Sequence, residues 1–179
     1  MVSPPQGSAV TEPQPAPAHT AIPQPSGPNL RGEADAAFRV RDFKRALELY
    51  EVLAQANDAH SYNDVAKSKH GAALWRVAEL GPEADRVAQI DHAIGLLTQA
   101  LSHRDPGYRA RSFYERSKAW WHRWRTEPSD RALQQAVADA GEAARIEGDP
   151  SFINWYERLT AEEERLRTTG QRPGGSTSA

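Results

Sequence analysis

From residue 30 to residue 167 of this 179-residue chain, apolar positions recur at three and four, and no run alternates β-branched residues as a strand would. A period near 3.6 lets a helix bury one face, whereas a half-buried strand needs a period of two, so the pattern predicts an all-α domain. The cleanest stripe is Val87, Ile90, Ile94, Leu97 and Leu101, which step by 3, 4, 3 and 4 with polar residues opposite. A helix of this kind must be covered along one face by neighbours.

Local punctuation sets the boundaries. Asn29 caps a first short helix, Arg41-Asp42 makes a tight corner, and Phe43, Ala46, Tyr50 and Leu53 form the seam of a second helix. A third helix starts around Ser61 to Asp64 and runs through Trp75, Ala78 and Leu80 to the break at Gly81-Pro82, where Gly81 suits the position after a helix and Pro82 the first turn of the next. Asp105-Pro106 and Asp149-Pro150 are matching starts, each an Asp cap before proline at N1, and Thr126-Glu127-Pro128 begins a helix between them. Seven helices are predicted, at about 30–40, 43–56, 62–80, 82–103, 106–125, 128–147 and 150–167. Short connections make consecutive helices antiparallel, giving three hairpins and a final helix, arranged as a stacked array or a compact bundle.

Composition changes at both ends. Residues 1–29 hold eight of the thirteen prolines, a single acid (Glu12) and no Lys or Arg, and read as a disordered tail with polyproline II character, in which PQPAP and IPQP resemble ligands of proline-recognising domains. Residues 168–179 read as a second tail, leaving 30–167 as one helical domain. The net charge of -2 and pI near 6.3 provide no overall attraction for phosphate and disfavour a nucleic-acid protein. The chain has no cysteine, no apolar run near 18 residues and no signal-peptide pattern, so a cytoplasmic protein without membrane association is expected.

Residues 34–58, ADAAFRVRDFKRALELYEVLAQAND, resemble a tetratricopeptide repeat: Ala34 at the small position of the first helix, Phe38 near its aromatic position, Phe43 opening the second, then Ala46, Tyr50 and Leu53. HAIGLLTQALSHRDP, residues 92–106, is a weaker echo through Ala93, Leu97, Ala100 and Pro106. Members of that family stack hairpins into a right-handed superhelix and bind peptides or partner proteins on its concave side. The resemblance therefore implies a protein-binding adaptor.

Chemistry finds little support. His19, His60, His70, His92, His103 and His122 include no pair at i, i+4, no HExxH and no thiol companion, so no metal site is expected. Asp91 and His92 are sequence neighbours that point about 100° apart on a helix and cannot act as a facing acid-base pair. The glycines form neither GxxxxGK nor GxGxxG, and Glu162, Glu163 and Glu164 fan around the last helix as a solvated face. The expectation is a non-enzyme with no cofactor.

AWWHRW, residues 119–124, holds three of the five tryptophans. On a helical wheel Phe113, Ser117, Trp120 and Trp124 fall together, with Ala110, Trp121 and Tyr114 at the edge of an arc about 120° wide. The next helix is Ala-rich, so at least two indoles are expected in the core, filling space against small residues. Arg125, Lys118, Arg111, His122 and Glu115 form one polar flank, and Arg123 and Arg116 the other. Residues 108–125 carry six Arg or Lys against Glu115 alone, a local excess of +5. That flank is either solvated or a partner-binding face, with Trp121 beside Lys118 and Arg125; a nucleic-acid groove stacking bases on Trp121 is a further alternative. Two surfaces are thus candidates for an acidic or extended protein partner: a groove near Phe38, Tyr50 and Trp75, and the flank with Arg111, Lys118, Trp121 and Arg125. A homo-oligomer through the fourth and fifth helices, an unpaired stripe covered by its copy, is a separate possibility.

Overall fold

The computed structural model describes residues 29–56 and 58–170, which form seven helices and no strand. The polyproline reading of residues 1–28 and the tail reading of 171–179 fall outside the described residues. The helices are α1 (Leu30–Arg39), α2 (Phe43–Gln55), α3 (Asp64–Leu80), α4 (Glu83–Ala100), α5 (Pro106–Thr126), α6 (Asp130–Glu147) and α7 (Pro150–Thr169). Asn29, Asp105 and Asp149 each accept a backbone N–H at the start of their helix, satisfying donors that would otherwise have no partner.

Several boundaries differ from expectation for local reasons. The sixth helix does not open on Pro128: the Ser129 side chain accepts from the Ala132 amide, so α6 begins at Asp130. Gly81 is extended, and Pro82 is itself the N-cap of α4 without a side-chain bond. Asn63 caps α3, which delays its start to Asp64. α4 stops at Ala100 because the following amides, Leu101 to Ser102 to His103, bond three residues back at 3.2–3.3 Å and tighten the chain out of the helix. Gly148 and Gly170 follow α6 and α7 in the left-handed region, at φ 65° and 64°. Arg41 adopts the same region at φ 65°, alone among the described non-glycine residues.

Helix packing follows chain order. α1 pairs with α2, α3 with α4 and α5 with α6, and α7 lies on α6. α3 also touches α1 and α5, so the first three odd-numbered helices share one side of the molecule. α4 sits between α3 and α5, and Ile90, Ile94 and Leu97 of its stripe are buried there. The stripe that argued for a second copy of the chain is therefore covered within one chain. An array of hairpins each resting on the next is consistent with a helical-repeat fold.

All three AWWHRW indoles take part in packing. Trp124 is 4 % exposed, Trp120 touches three separate apolar clusters, and half-buried Trp121 lies against Trp124 and Trp155 at ring separations of 4.7 and 6.1 Å. Ala132, Ala136 and Ala140 of α6 present the small surface they fill. Gly71 lets α3 and α4 approach closely. A Cβ added at Gly71 would lie 2.8 Å from the Leu97 side chain and 2.9 Å from the Ala93 carbonyl oxygen. Gly95, inside α4, has nothing within 4 Å. Gly71→Ala should therefore lower stability by about 1–3 kcal/mol, and Gly95→Ala raise it by about 0.5–1 kcal/mol. Urea denaturation midpoints of the two variants check the opposite signs.

Candidate binding groove

A groove of about 590 Å³ opens on the shared side of α1, α3 and α5. α1 contributes Asp35, Phe38 and Arg39 at helical spacing, the following turn Arg41, and the first residue of α2 is Phe43. Lys69, Trp75 and Arg76 come from α3, and Arg111 and Lys118, one heptad apart on the same face, from α5. Six cations thus line the groove with Asp35 as its one acidic lining residue.

Two candidate surfaces of the sequence turn out to be one. Phe38 and Trp75 stand in the same groove as Arg111 and Lys118. Three candidates fall outside it. Tyr50 is fully buried behind the groove, and its hydroxyl donates to Asp35 at 2.6 Å. Trp121 is held among other indoles, and Arg125 is exposed, continuing the Arg111–Lys118 row one heptad past the groove's end. Arg39, Arg41, Phe43, Lys69 and Arg76 were not among the binding residues expected from sequence. Their signal is visible in retrospect: residues 65, 69, 72 and 76 on α3, and 108, 111, 115 and 118 on α5, keep helical spacing on one face.

The floor of the groove is polar and buried, which the helical wheel did not show. Glu115, assigned to a polar flank, is 1 % exposed because that flank of α5 packs on α3 rather than facing water. It accepts from Trp75 Nε1 at 3.3 Å and pairs with Arg76 at 2.8 Å, while Arg111 lies 3.6 Å away. The Arg76 guanidinium covers one face of Trp75 at 4.2 Å and also sits over Phe43 at 4.9 Å. His122 stacks on Trp75 at 4.9 Å, and burial holds its imidazole below the usual histidine range despite Glu79 3.3 Å away.

Charge on the rest of the fifth helix divides in two. Arg116 grips Asp139 of α6 with two bonds of 2.7 Å, and Arg123 pairs with Asp91 and Glu127. Among the described residues Lys118 forms no ion pair and rests over the Tyr114 ring at 4.2 Å. Arg39 and Arg41 form no ion pair among the described residues, while Lys69 shares Asp35 with Tyr50 and Arg31. Burial raises the Asp35 carboxyl, but these three donors outweigh it and hold the group below the ordinary aspartate range. The groove therefore keeps a surplus of positive charge after its internal pairs are counted.

Behind Tyr50, His70 is 2 % exposed and hydrogen-bonded through Nδ1 to the Tyr62 hydroxyl, whose pKa burial pushes up to about 12. Burial, aided by His92, pulls the His70 imidazole down to about 4. Among the described residues no cluster of His, Asp or Glu could hold a metal, and no helix is long and apolar enough to cross a membrane.

Two stability predictions follow from these buried groups. Glu115→Ala leaves half-buried Arg76 and the Trp75 indole N–H without their acceptor and should cost about 1–3 kcal/mol in urea denaturation. The apolar pair Glu115→Leu with Arg76→Met should recover most of that loss, because it removes both desolvation penalties. Because the folded pKa of His70 lies below the ordinary 6.5, its contribution is present above pH 6.5 and lost as pH falls toward about 4. The decline over that window amounts to about 3 kcal/mol at most. Denaturation at stepped pH should show a shallower decline in His70→Phe. Comparison of the chain with protein-family models, curated proteins and solved structures found no match.

Proposed function

We propose that this chain is a tetratricopeptide-like adaptor, without enzymatic activity, that receives an extended acidic segment of a protein partner in the groove between α1, α3 and α5. One observation carries the reading: six cations from α1, its following turn, α3 and α5 converge beside Phe38 and Phe43, with Asp35 as the one acidic lining residue. Arginine supplies four of the six, and its planar fork of donors suits paired hydrogen bonds to carboxylates. The aromatic edges add apolar contact at little entropic cost.

The geometry favours a protein segment over a nucleic acid. Base stacking needs an open aromatic face, but Trp75 is packed by the Arg76 guanidinium at 4.2 Å and the His122 ring at 4.9 Å. Trp121, the indole first considered for stacking, packs on Trp124 and Trp155. Arg41 adds a second strand of support. A left-handed arginine costs about 1–2 kcal/mol where glycine would cost little, and here it places a cation on the groove wall.

Fluorescence anisotropy of the full chain with labelled acidic, neutral and basic peptides and a single-stranded oligonucleotide, at stepped salt, tests the reading. The acidic peptide should bind best and weaken as salt rises. Lys118→Glu and Arg41→Gly should each reduce affinity about tenfold or more. Arg125→Glu, outside the groove, should leave it unchanged. Arg41→Gly should also stabilise the fold by about 0.5–1 kcal/mol, so its loss of binding is not a loss of structure. Preference for the basic peptide or the oligonucleotide, or indifference to Lys118 and Arg41, would overturn the assignment.

A further inference from the structure

The basic groove does not end at its cations. At one end it opens into a smaller pocket of about 160 Å³ that shares Phe38, Lys69 and Arg111 with it and is completed by Val65, Ala72 and Tyr108. The polar groups at the base of this pocket are occupied: Ser68 Oγ accepts from Ser112 at 2.9 Å, and Glu115 is engaged by Trp75 and Arg76. With these groups engaged, the apolar surface of Phe38, Val65 and Ala72 lines the space left for a ligand side chain. Its volume suits one branched aliphatic side chain rather than an indole.

Elsewhere on its wall the groove passes Arg41, Phe43 and Arg76 into a cleft of about 470 Å³ between the start of α2 and the end of α3. Phe43, Val77 and Leu80 supply its apolar surface. Leu80 is 90 % exposed, the most exposed of the large apolar residues described. With Phe43 and Val77 it makes an apolar surface on the border of the charged groove, which an apolar ligand side chain would cover. The larger cleft has room for an aromatic side chain.

We infer that the groove reads a three-part ligand: an acidic stretch over the cations, with a branched aliphatic residue on one side for the small pocket and an aromatic residue on the other for the cleft at Leu80. This rests on the adaptor reading above and specifies its ligand. Charge complementarity fixes the occupant as a partner's acidic segment rather than this chain's own Pro-rich residues 1–28, whose one acid is Glu12. The apolar flanks provide the selectivity that charge alone lacks, because any acidic segment satisfies the cations whereas only one with correctly spaced anchors fills both recesses. Each buried anchor contributes mainly by slowing dissociation.

The test uses the full chain and labelled peptides with an Asp/Glu run between leucine and tryptophan, made in both orders, with either flank or both replaced by alanine. In the better order, each single alanine should weaken binding about tenfold. Val65→Gln in the small pocket should erase the benefit of leucine while leaving that of tryptophan, and Leu80→Gln should do the reverse. If Val65→Gln fails to fold, the peptide series on the unaltered protein still decides. Equal affinity for peptides with apolar and alanine flanks overturns the three-part ligand while leaving an acid-binding groove. If acidic peptides bind no better than neutral ones, the adaptor reading falls with it.

Discussion

The contact on which the groove depends is the buried pairing of Glu115 with Arg76 across α3 and α5, closed by the Trp75 indole N–H. In a stacked array each hairpin rests only on its neighbours, so the relative setting of two hairpins is fixed by few contacts. A carboxylate taken out of water loses its hydration and must recover that loss through charge-assisted bonds of good geometry. That requirement makes the pair directional: sliding α5 along α3 would strip Glu115 of its donors at once, whereas apolar side chains tolerate a shift. The same bond fixes Arg76 between Trp75 and Phe43, building the groove floor from residues of three helices.

Similar polar contacts recur both within and between the other hairpins. Asp35 gathers Tyr50, Lys69 and Arg31, joining α1, α2 and α3, and Arg116 joins α5 to Asp139 of α6. Ser117 Oγ donates to the Ala136 carbonyl and accepts from Trp155 Nε1, connecting α5, α6 and α7. Between them the packing alternates bulk with its absence: indoles of α5 against the alanines of α6, Leu97 of α4 against Gly71 of α3. Apolar packing provides most of the cohesion, and the polar seams set register.

Much of this was legible in the sequence because helices announce themselves locally. The apolar period, the Asp-Pro starts and the corner at Arg41-Asp42 each depend on a few adjacent residues, and the seven helices fall close to their expected spans. Ser129 in place of Pro128 as the sixth helix's start shows the limit, since several capping residues stood side by side and the choice among them depends on backbone direction. Arg111 and Lys118 were legible as one face of a helix, but what faced them was not. A wheel assigns polar residues to solvent, and Glu115 was misplaced for that reason: nothing within α5 reveals that Arg76, 39 residues earlier, will meet it. Tyr50 failed in the converse way. A large aromatic at a seam position reads as groove or core alike until Asp35 is seen to take its hydroxyl.

The charge excess of the fifth helix separates what holds the fold from what is left over. Arg116 and Arg123 are spent on Asp139, Asp91 and Glu127, so most of the flank that faces α4 and α6 is neutral. Lys118 rests over the rings of Tyr114 and Trp155, and Arg39 and Arg41 across the groove form no ion pair among the described residues. Cations of like sign drawn together repel, and a chain selected for stability alone would gain by placing Asp or Glu among them, as α7 does with Glu162–Arg165 and Glu164–Arg167. Arg41 bears a second cost through its left-handed backbone, where glycine would relax it. Both costs fall on one groove. An anionic ligand relieves the repulsion there, so the affinity for that ligand draws on the same energy that the unliganded fold gives up.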